Sequence, residues 1–208
     1  MKYDFNLIAS SRTDMELEER IENRQDYLPE TVEATVAELK YRGREFSDEE
    51  LRIINEDVQA QRQNAALVGG RVSMFNKEYK NVVVKDTEAP FLYSRLALYF
   101  FTVFMGALFG SVMMAINISK TENRSKALWA ILFGVGFTVL QVLITNNLKN
   151  PNTSIAIIFG IVASYCLDYL FWKPFIGYSA FYRSRPIWIP LVIALVLAGL
   201  IIAAIMLA

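Results

Sequence analysis

The stretch "LALYFFTVFMGALFGSVMMAINI", residues 96–118, decides the fold class of this 208-residue chain. It contains no charged residue and no polar stripe at helical spacing. A helix needs roughly 20 apolar residues to cross a hydrocarbon core of about 30 Å. A helix on the surface of a soluble domain would instead show one polar face. The stretch therefore predicts a transmembrane helix.

Three further apolar runs follow in the sequence, over residues 127–144, 154–172 and 187–207. The connectors between the runs are short, and short connectors make consecutive helices antiparallel neighbours. The sequence therefore predicts an all-α fold with a four-helix transmembrane bundle over residues 96–208. The lipid bilayer is the first partner that this prediction implies.

The N-terminal part of the chain has a different composition. Its first 68 residues carry 16 Asp and Glu against 9 Lys and Arg, although the whole chain has 21 of each kind. An acidic segment beside a basic, apolar one indicates two regions with different surroundings. We predict a small acidic helical module over residues 1–70 and a juxtamembrane linker over residues 71–95.

Helix signals recur through the acidic module. Thr13 with Glu16 and Ser47 with Glu50 both have the spacing of a capping box. Pro29 suits the first turn of a helix between these two. Two or three helices over about 55 residues bury little apolar surface. We therefore expect the module to need a protein partner, a second copy of the chain or the membrane surface.

The residue types that most catalytic and metal sites use are scarce. The chain has no histidine, and Cys166 is its one cysteine. Histidine is the usual general base near neutral pH, and zinc sites are built mainly from histidine and cysteine. We therefore expect a non-enzymatic protein with no cofactor, no metal site and no nucleic-acid partner.

Asp168 is the one carboxylate inside any of the apolar runs. It lies about 6 Å along a helix axis from Trp172, and Lys173 follows. An ionisable residue in a membrane span is a functional hypothesis by default. Two interpretations stay open. Asp168 anchors the span near the interface, paired with Lys173 or a loop arginine, or it forms a polar path with Gln141.

Small residues repeat at four-residue spacing in two of the runs. Gly106 and Gly110 lie in the first run, and Gly160 and Ser164 lie in the third. This spacing lets two helix backbones approach closely. The pattern indicates either packing within one bundle or a face for a homo-oligomer.

Two arguments about membrane orientation disagree. With four spans, the N-terminal side carries four cations near the membrane and the other side carries six. The four are Lys80, Lys85, Arg95 and Lys149, and the six are Lys120, Arg124, Lys126, Lys173, Arg183 and Arg185. The positive-inside rule then favours an external N-terminus. Export of about 90 residues without a signal argues more strongly for two cytoplasmic termini.

The segment "YLPETVEATVAELKYRG", residues 27–43, with "FSDEEL" after it, resembles a known pattern. It is similar to a Tyr-x-Pro-Glu…Glu-Leu-x-x-Arg-Gly segment ahead of transmembrane helices in uncharacterised bacterial membrane proteins, many from Bacteroidetes. The resemblance implies a bacterial envelope protein, and with the predicted spans we expect a multi-pass protein of the inner membrane. With the composition, it leads us to expect a membrane-anchored interaction or scaffold component. The alternative is a small transporter or channel, or a subunit of one.

Overall fold

The computed structural model of the chain describes residues 4–68, 77–148 and 153–207. The protein is mostly helical, which confirms the all-α prediction. It divides into two compact units. We call Met1–Phe91 with Ile176–Ser184 the head, and Leu92–Phe175 with Arg185–Ala208 the apolar unit.

Three helices of the head begin where the sequence signals predict, and a short helix that was not predicted precedes them. In chain order, the helices are α1 (Phe5–Ser10), α2 (Asp14–Glu22), α3 (Pro29–Tyr41) and α4 (Asp48–Val68), with 3₁₀ turns at Arg24–Asp26 and Lys77–Val82. The reciprocal capping box of Thr13 and Glu16 is present at the start of α2. The Ser47 hydroxyl accepts a hydrogen bond from the Glu50 N–H at 3.1 Å, which caps α4.

The head has its own hydrophobic core. Its main cluster of buried aliphatic side chains comes from α1, α2, α3 and α4: Ala9, Leu17, Ile21, Val32, Ala34, Leu39, Ile54 and Val58. A smaller cluster joins Leu28, Val84 and Ala89, with Phe181 packed against it. A distant segment of the chain thus supplies part of the packing that the N-terminal helices alone lack.

Backbone hydrogen bonds attach this distant segment to the rest of the head. Val84 N–H donates to the Tyr182 carbonyl at 3.0 Å, and Tyr182 N–H donates to the Val82 carbonyl at 2.9 Å. Strand β1 (Phe91–Leu92) pairs with strand β2 (Arg183–Ser184). The predicted linker over residues 71–95 therefore needs correction, because residues 77–91 are part of the head. Residues 71–76 lie outside the described residues.

The apolar unit contains the remaining helices. They are α5 (Arg95–Met105), α6 (Ala107–Ile118), α7 (Ala127–Asn146), α8 (Thr153–Leu167), α9 (Lys173–Phe175) and α10 (Trp188–Leu207), with a 3₁₀ turn at Arg124–Lys126 and a π-helix at Asp168–Trp172. Helix α6 packs against α7, and α5 packs against both α6 and α8. These contacts form the inner part of the unit.

Two helical segments in the described part of the chain are long and apolar enough to cross a membrane. They are Arg124–Asn146 and Ser154–Phe175, with mean hydropathies of 2.2 and 1.9. In the most apolar 18-residue stretch of each segment, only 11% and 33% of the residues, respectively, are buried within the protein. Helices of this kind indicate membrane association. They do not confirm four spans.

The prediction of one continuous helix over residues 96–118 is wrong. Gly106 has φ +89° and ψ 169°, and this backbone conformation ends α5 and begins α6. The Asn117 side chain accepts a hydrogen bond from Tyr93 N–H at 2.8 Å and donates one to the Tyr93 carbonyl at 2.9 Å. In a continuous helix these residues would lie about 36 Å apart. The chain therefore reverses at Gly106, and α5 and α6 form an antiparallel hairpin.

Candidate functional site

Arg95 and Asp168 form a buried ion pair in the apolar unit. The Arg95 Nε lies 2.9 Å from Asp168 Oδ1, and the Arg95 Nη2 lies 2.9 Å from Asp168 Oδ2. The two side chains are 12% and 4% exposed. Parallel, charge-assisted hydrogen bonds of this kind fix geometry as well as charge. The structure thus corrects the sequence-based choice of partner, because Arg95 takes the place expected for Lys173 or a loop arginine.

Local structure at each side of the pair positions the two charges. The Ser94 hydroxyl accepts a hydrogen bond from Ala97 N–H at 3.2 Å, so α5 begins at Arg95. Asp168 is the first residue of the π-helix, whose Phe171 and Trp172 side chains are buried. A π-helix inside a longer helix shifts the side chains that follow and often occurs at functional sites.

A small cavity adjoins the ion pair. Its volume is about 10 Å³, and it is lined by Arg95, Leu98, Tyr99, Thr102, Met114, Ser164, Leu167 and Asp168. This volume is near the lower limit for one water molecule. The Tyr99 hydroxyl is buried and lines the same cavity as Asp168. Its ring contacts the Tyr165 ring edge-on, with centroids 5.7 Å apart.

Two of the predicted polar residues lie away from this cavity. Lys173 Nζ lies 4.9 Å from the centroid of the Tyr169 ring. Gln141 is half-buried on α7, and its backbone carbonyl accepts a hydrogen bond from the Thr145 hydroxyl at 2.8 Å. Neither Gln141 nor Lys173 lines the cavity beside Asp168. The structure therefore does not bring the three predicted residues together.

The small residues occupy close contacts between helices. A Cβ atom on Gly110 would lie 1.9 Å from Thr102 Oγ1, and one on Gly160 would lie 2.7 Å from Val103 Cα. Gly110 thus lets α6 approach α5, and Gly160 lets α8 approach α5. Gly106 lies at the turn of the hairpin, so Gly106 and Gly110 do not share one helix face.

Ser164 completes this set of small residues. It is buried, it lines the cavity, and its hydroxyl donates to the Ile161 carbonyl at 2.7 Å. A small side chain at this position leaves room for Asp168 and Arg95 between α5 and α8. The oligomer face that the glycine pattern suggested stays a prediction.

A second buried polar cluster, in the head, has no counterpart in the sequence analysis. Asp86 Oδ2 accepts hydrogen bonds from Leu28 N–H at 2.9 Å and from the Thr31 hydroxyl at 2.7 Å. Asp86 Oδ1 accepts from Glu88 N–H at 3.0 Å. Leu28 is the N-cap of α3 and cannot cap it with its own side chain. Asp86 therefore caps α3 from a distant part of the chain.

Glu88 lies beside Asp86 and close to two arginines. Its Oε1 lies 3.4 Å from Arg12 Nη2 and 3.5 Å from Arg20 Nη2. Burial raises the pKa of the Glu88 carboxyl, and the neighbouring Asp86 charge raises it further. Burial also raises the pKa of Asp86, but hydrogen bonds from Glu88, Thr31 and the Leu28 backbone outweigh that effect and lower the pKa. The pKa of Glu88 is therefore raised, whereas the pKa of Asp86 is lowered.

Within residues 4–68, 77–148 and 153–207, no group of three His, Cys, Asp or Glu side chains could hold a metal ion. Cys166 is half-buried. No family model matches the chain, and comparisons with curated proteins and with solved structures find no match.

Proposed function

We propose that this chain is an integral protein of the bacterial inner membrane and acts, without catalysis, as a membrane-anchored interaction or scaffold component. The contrast between the surfaces of its two units supports this proposal most directly. The head carries exposed ion pairs, such as those of Arg52 with Glu49 and Glu56. The apolar unit exposes large aliphatic side chains along α7, such as Leu132 and Leu140, which are 51% and 50% exposed.

The exposed apolar surface is the physical reason for the membrane assignment. Removing apolar surface from water is worth about 25 cal/mol per Å². Soluble monomers rarely expose apolar patches larger than a few hundred Å². Helix α10 adds to this surface with Leu195, Val196 and Leu200, which are 57–64% exposed. A lipid environment covers such helices without a protein partner.

The outer face of α4 is the part of the head that we assign to a protein partner. It is an open surface of one helix that carries Asp48, Leu51, Arg52, Asn55, Glu56, Gln59, Ala60 and Gln63. Ile53 and Leu67 on the same helix are 41% and 64% exposed. Charged groups around exposed apolar side chains favour specific over non-specific partners.

Site-specific crosslinking in native membranes tests the interaction role. A photoreactive residue at Gln59 should give one discrete adduct with another protein or with a second copy of the chain. Glu56→Lys should abolish the adduct, because it reverses a charge on this face of α4. Glu22→Lys is the matched control, since Glu22 is an exposed acid on α2. The absence of an adduct, or equal loss with both variants, would contradict the proposal.

The ion pair in the apolar unit supports a second candidate function, that of a small transporter or channel. A buried acid and base inside apolar helices are costly and often mark a transport path. Tyr99 adds a buried hydroxyl beside Asp168. Asp168→Asn separates the two candidates. It should leave the Gln59 adduct intact if the head carries the function, whereas a phenotype lost with Asp168→Asn while the amount of the chain in the membrane and the adduct are unchanged would favour transport.

A further inference from the structure

We propose that α5 and α6 form a re-entrant hairpin, which enters and leaves the membrane on the same side. The chain then crosses the membrane three times, through α7, α8 and α10, and its two termini lie on opposite sides. This inference rests on the proposed membrane location of the apolar unit. It replaces the four-span arrangement that the apolar runs suggest.

The dimensions of the hairpin fit half of a bilayer. Helix α5 has 11 residues and α6 has 12. At 1.5 Å per residue they are about 16 and 18 Å long. A hydrocarbon core is about 30 Å thick, so neither helix crosses it. The Asn117 side chain holds the end of α6 against Tyr93, which precedes α5.

The tip of the hairpin is suited to the membrane interior. Phe104, Met105 and Leu108 are 61%, 39% and 42% exposed, so apolar side chains surround the turn. Non-helical backbone at membrane depth is tolerated where protein buries it, and Ala107, which follows the turn, is 1% exposed. Gly106 N–H donates to the Thr102 carbonyl at 3.0 Å, and Gly110 N–H donates to the Gly106 carbonyl at 3.3 Å.

Contacts after the hairpin independently require the same topology. The Asn123 side chain, in the connector between α6 and α7, donates to the Phe175 carbonyl at 3.0 Å. The end of α9 therefore lies on the side of the membrane where α7 begins. Segment Ile176–Ser184 follows directly and belongs to the head, which precedes α5. Four spans would put the head and this segment on opposite sides of the bilayer, whereas three crossings put them on one side.

The re-entrant arrangement also resolves the conflict over orientation. It brings nine near-membrane cations to the head side: Lys80, Lys85, Arg95, Lys120, Arg124, Lys126, Lys173, Arg183 and Arg185. The opposite side has Lys149, in the connector between α7 and α8 and outside the described residues. The positive-inside rule now places the head in the cytoplasm, against an anionic leaflet. The C-terminus lies outside, which replaces the expectation of two cytoplasmic termini.

Cysteine accessibility in spheroplasts tests the topology of the full chain. Single cysteines are placed in a Cys166→Ala background at Glu45 in the head, at Ser125 after the hairpin, at Asn147 after α7 and at Ala208. A membrane-impermeant maleimide should label Asn147→Cys and Ala208→Cys in intact spheroplasts. It should label Glu45→Cys and Ser125→Cys only after permeabilisation. Labelling in denaturant confirms that each thiol is present and reactive.

Ser125 and Asn147 give the decisive comparison. Four spans predict that Asn147 shares the side of Glu45 and that Ser125 lies opposite. Either of those results would overturn the re-entrant hairpin. Alkaline carbonate extraction of the same membranes tests the proposed function separately, because release of the chain into the supernatant would contradict the membrane location itself.

Discussion

The Asn117 side chain binds both backbone groups of Tyr93, 24 residues earlier in the chain. Its Oδ1 accepts from Tyr93 N–H at 2.8 Å, and its Nδ2 donates to the Tyr93 carbonyl at 2.9 Å. Asn117 is fully buried, and Tyr93 is 2% exposed. An amide is the side chain that can satisfy a donor and an acceptor together. This contact closes the open end of the α5–α6 hairpin.

Replacement of Asn117 should therefore destabilise the hairpin strongly. Asn117→Ala leaves the buried N–H and carbonyl of Tyr93 without partners, and each unsatisfied group costs about 1–3 kcal/mol. We expect the free energy of unfolding to fall by about 2–4 kcal/mol. Thermal unfolding in detergent, followed by circular dichroism, measures this change.

Asn147→Ala is the control for this measurement. Asn147 is exposed at the end of α7, and its Nδ2 donates to the Leu143 carbonyl at 2.8 Å. A surface substitution of this kind usually changes stability by less than about 0.5 kcal/mol. Equal effects of the two substitutions would argue against the role we assign to Asn117.

Replacing glycine by alanine should lower stability where two helices are in tight contact and should not lower it where the glycine faces open space. Gly160→Ala would place a Cβ atom 2.7 Å from the Val103 backbone, which cannot rotate away, so α8 must move from α5. We expect a loss of about 1–3 kcal/mol in the free energy of unfolding. At Gly136 an added Cβ has no atom within 4 Å. Gly136→Ala should leave stability unchanged or raise it by up to about 1 kcal/mol.

Gly110→Ala tests the contact inside the hairpin. The added Cβ would lie 1.9 Å from Thr102 Oγ1 and 2.8 Å from Thr102 Cβ. Thr102→Gly removes both atoms, so the double variant should lose less stability than the sum of the single variants. A coupling of at least about 0.5 kcal/mol is expected for residues in contact. Strict additivity would show that α5 and α6 do not touch at this point.

The Arg95–Asp168 pair should behave as a buried pair in a double-mutant cycle. Asp168→Asn leaves a buried guanidinium without its counter-charge, and such changes cost about 3–5 kcal/mol. Arg95→Met combined with Asp168→Asn removes both charges and should recover part of that loss, with Arg95→Met alone as the fourth protein of the cycle. Unfolding midpoints of the four proteins in detergent give the coupling energy.

The exposed pair of Arg52 and Glu49 is the reference for this cycle. Both side chains are more than half exposed. Exposed pairs contribute about 0–1 kcal/mol, so Glu49→Gln should have little effect. A similarly small effect of Asp168→Asn would mean that water reaches the Arg95 side chain.

The Asp86–Glu88 cluster should make the head sensitive to pH. The pKa of Glu88 is raised above 4.5, so its contribution to stability is present below that pH and is lost as pH rises through the pKa in the folded protein. The pKa of Asp86 is lowered below 3.8, so its contribution is present above that pH and is lost on acidification. We expect the greatest stability in the mildly acidic range between the two.

Amide exchange of helix α3 measures this pH dependence directly, after correction for intrinsic exchange rates. In the unmodified protein, protection at Val32 should fall as pH rises from about 4.5 towards neutral. In Glu88→Gln this decrease should disappear, because the titrating proton is absent. A decrease of the same size in the variant would assign the effect to another group.

The sequence predicted the features that depend on neighbouring residues. Capping at Thr13 and Ser47, the start of α3 at Pro29 and the apolar character of α7 and α8 all follow from local spacing and composition. The capping of α3 by Asp86 could not be predicted from the sequence, because Asp86 lies more than 50 residues from Leu28 and Thr31. Burial of Asp168 could not be inferred either, since its position near the end of an apolar run fits both an interfacial and a paired carboxylate.

What the sequence by itself determined is the class of each segment: helical, acidic and charged before residue 69, helical and apolar after residue 95. Hydrophobicity and periodicity are properties of short windows, so they identify helices without showing where the chain reverses. Only the tertiary structure decided that residues 96–118 fold back at Gly106. Asn117, Gly110 and Thr102 stabilise that reversal through contacts between residues that would lie far apart in one continuous helix. Packing of α8 against α5, where Gly160 meets the Val103 backbone, in turn brings Asp168 to Arg95.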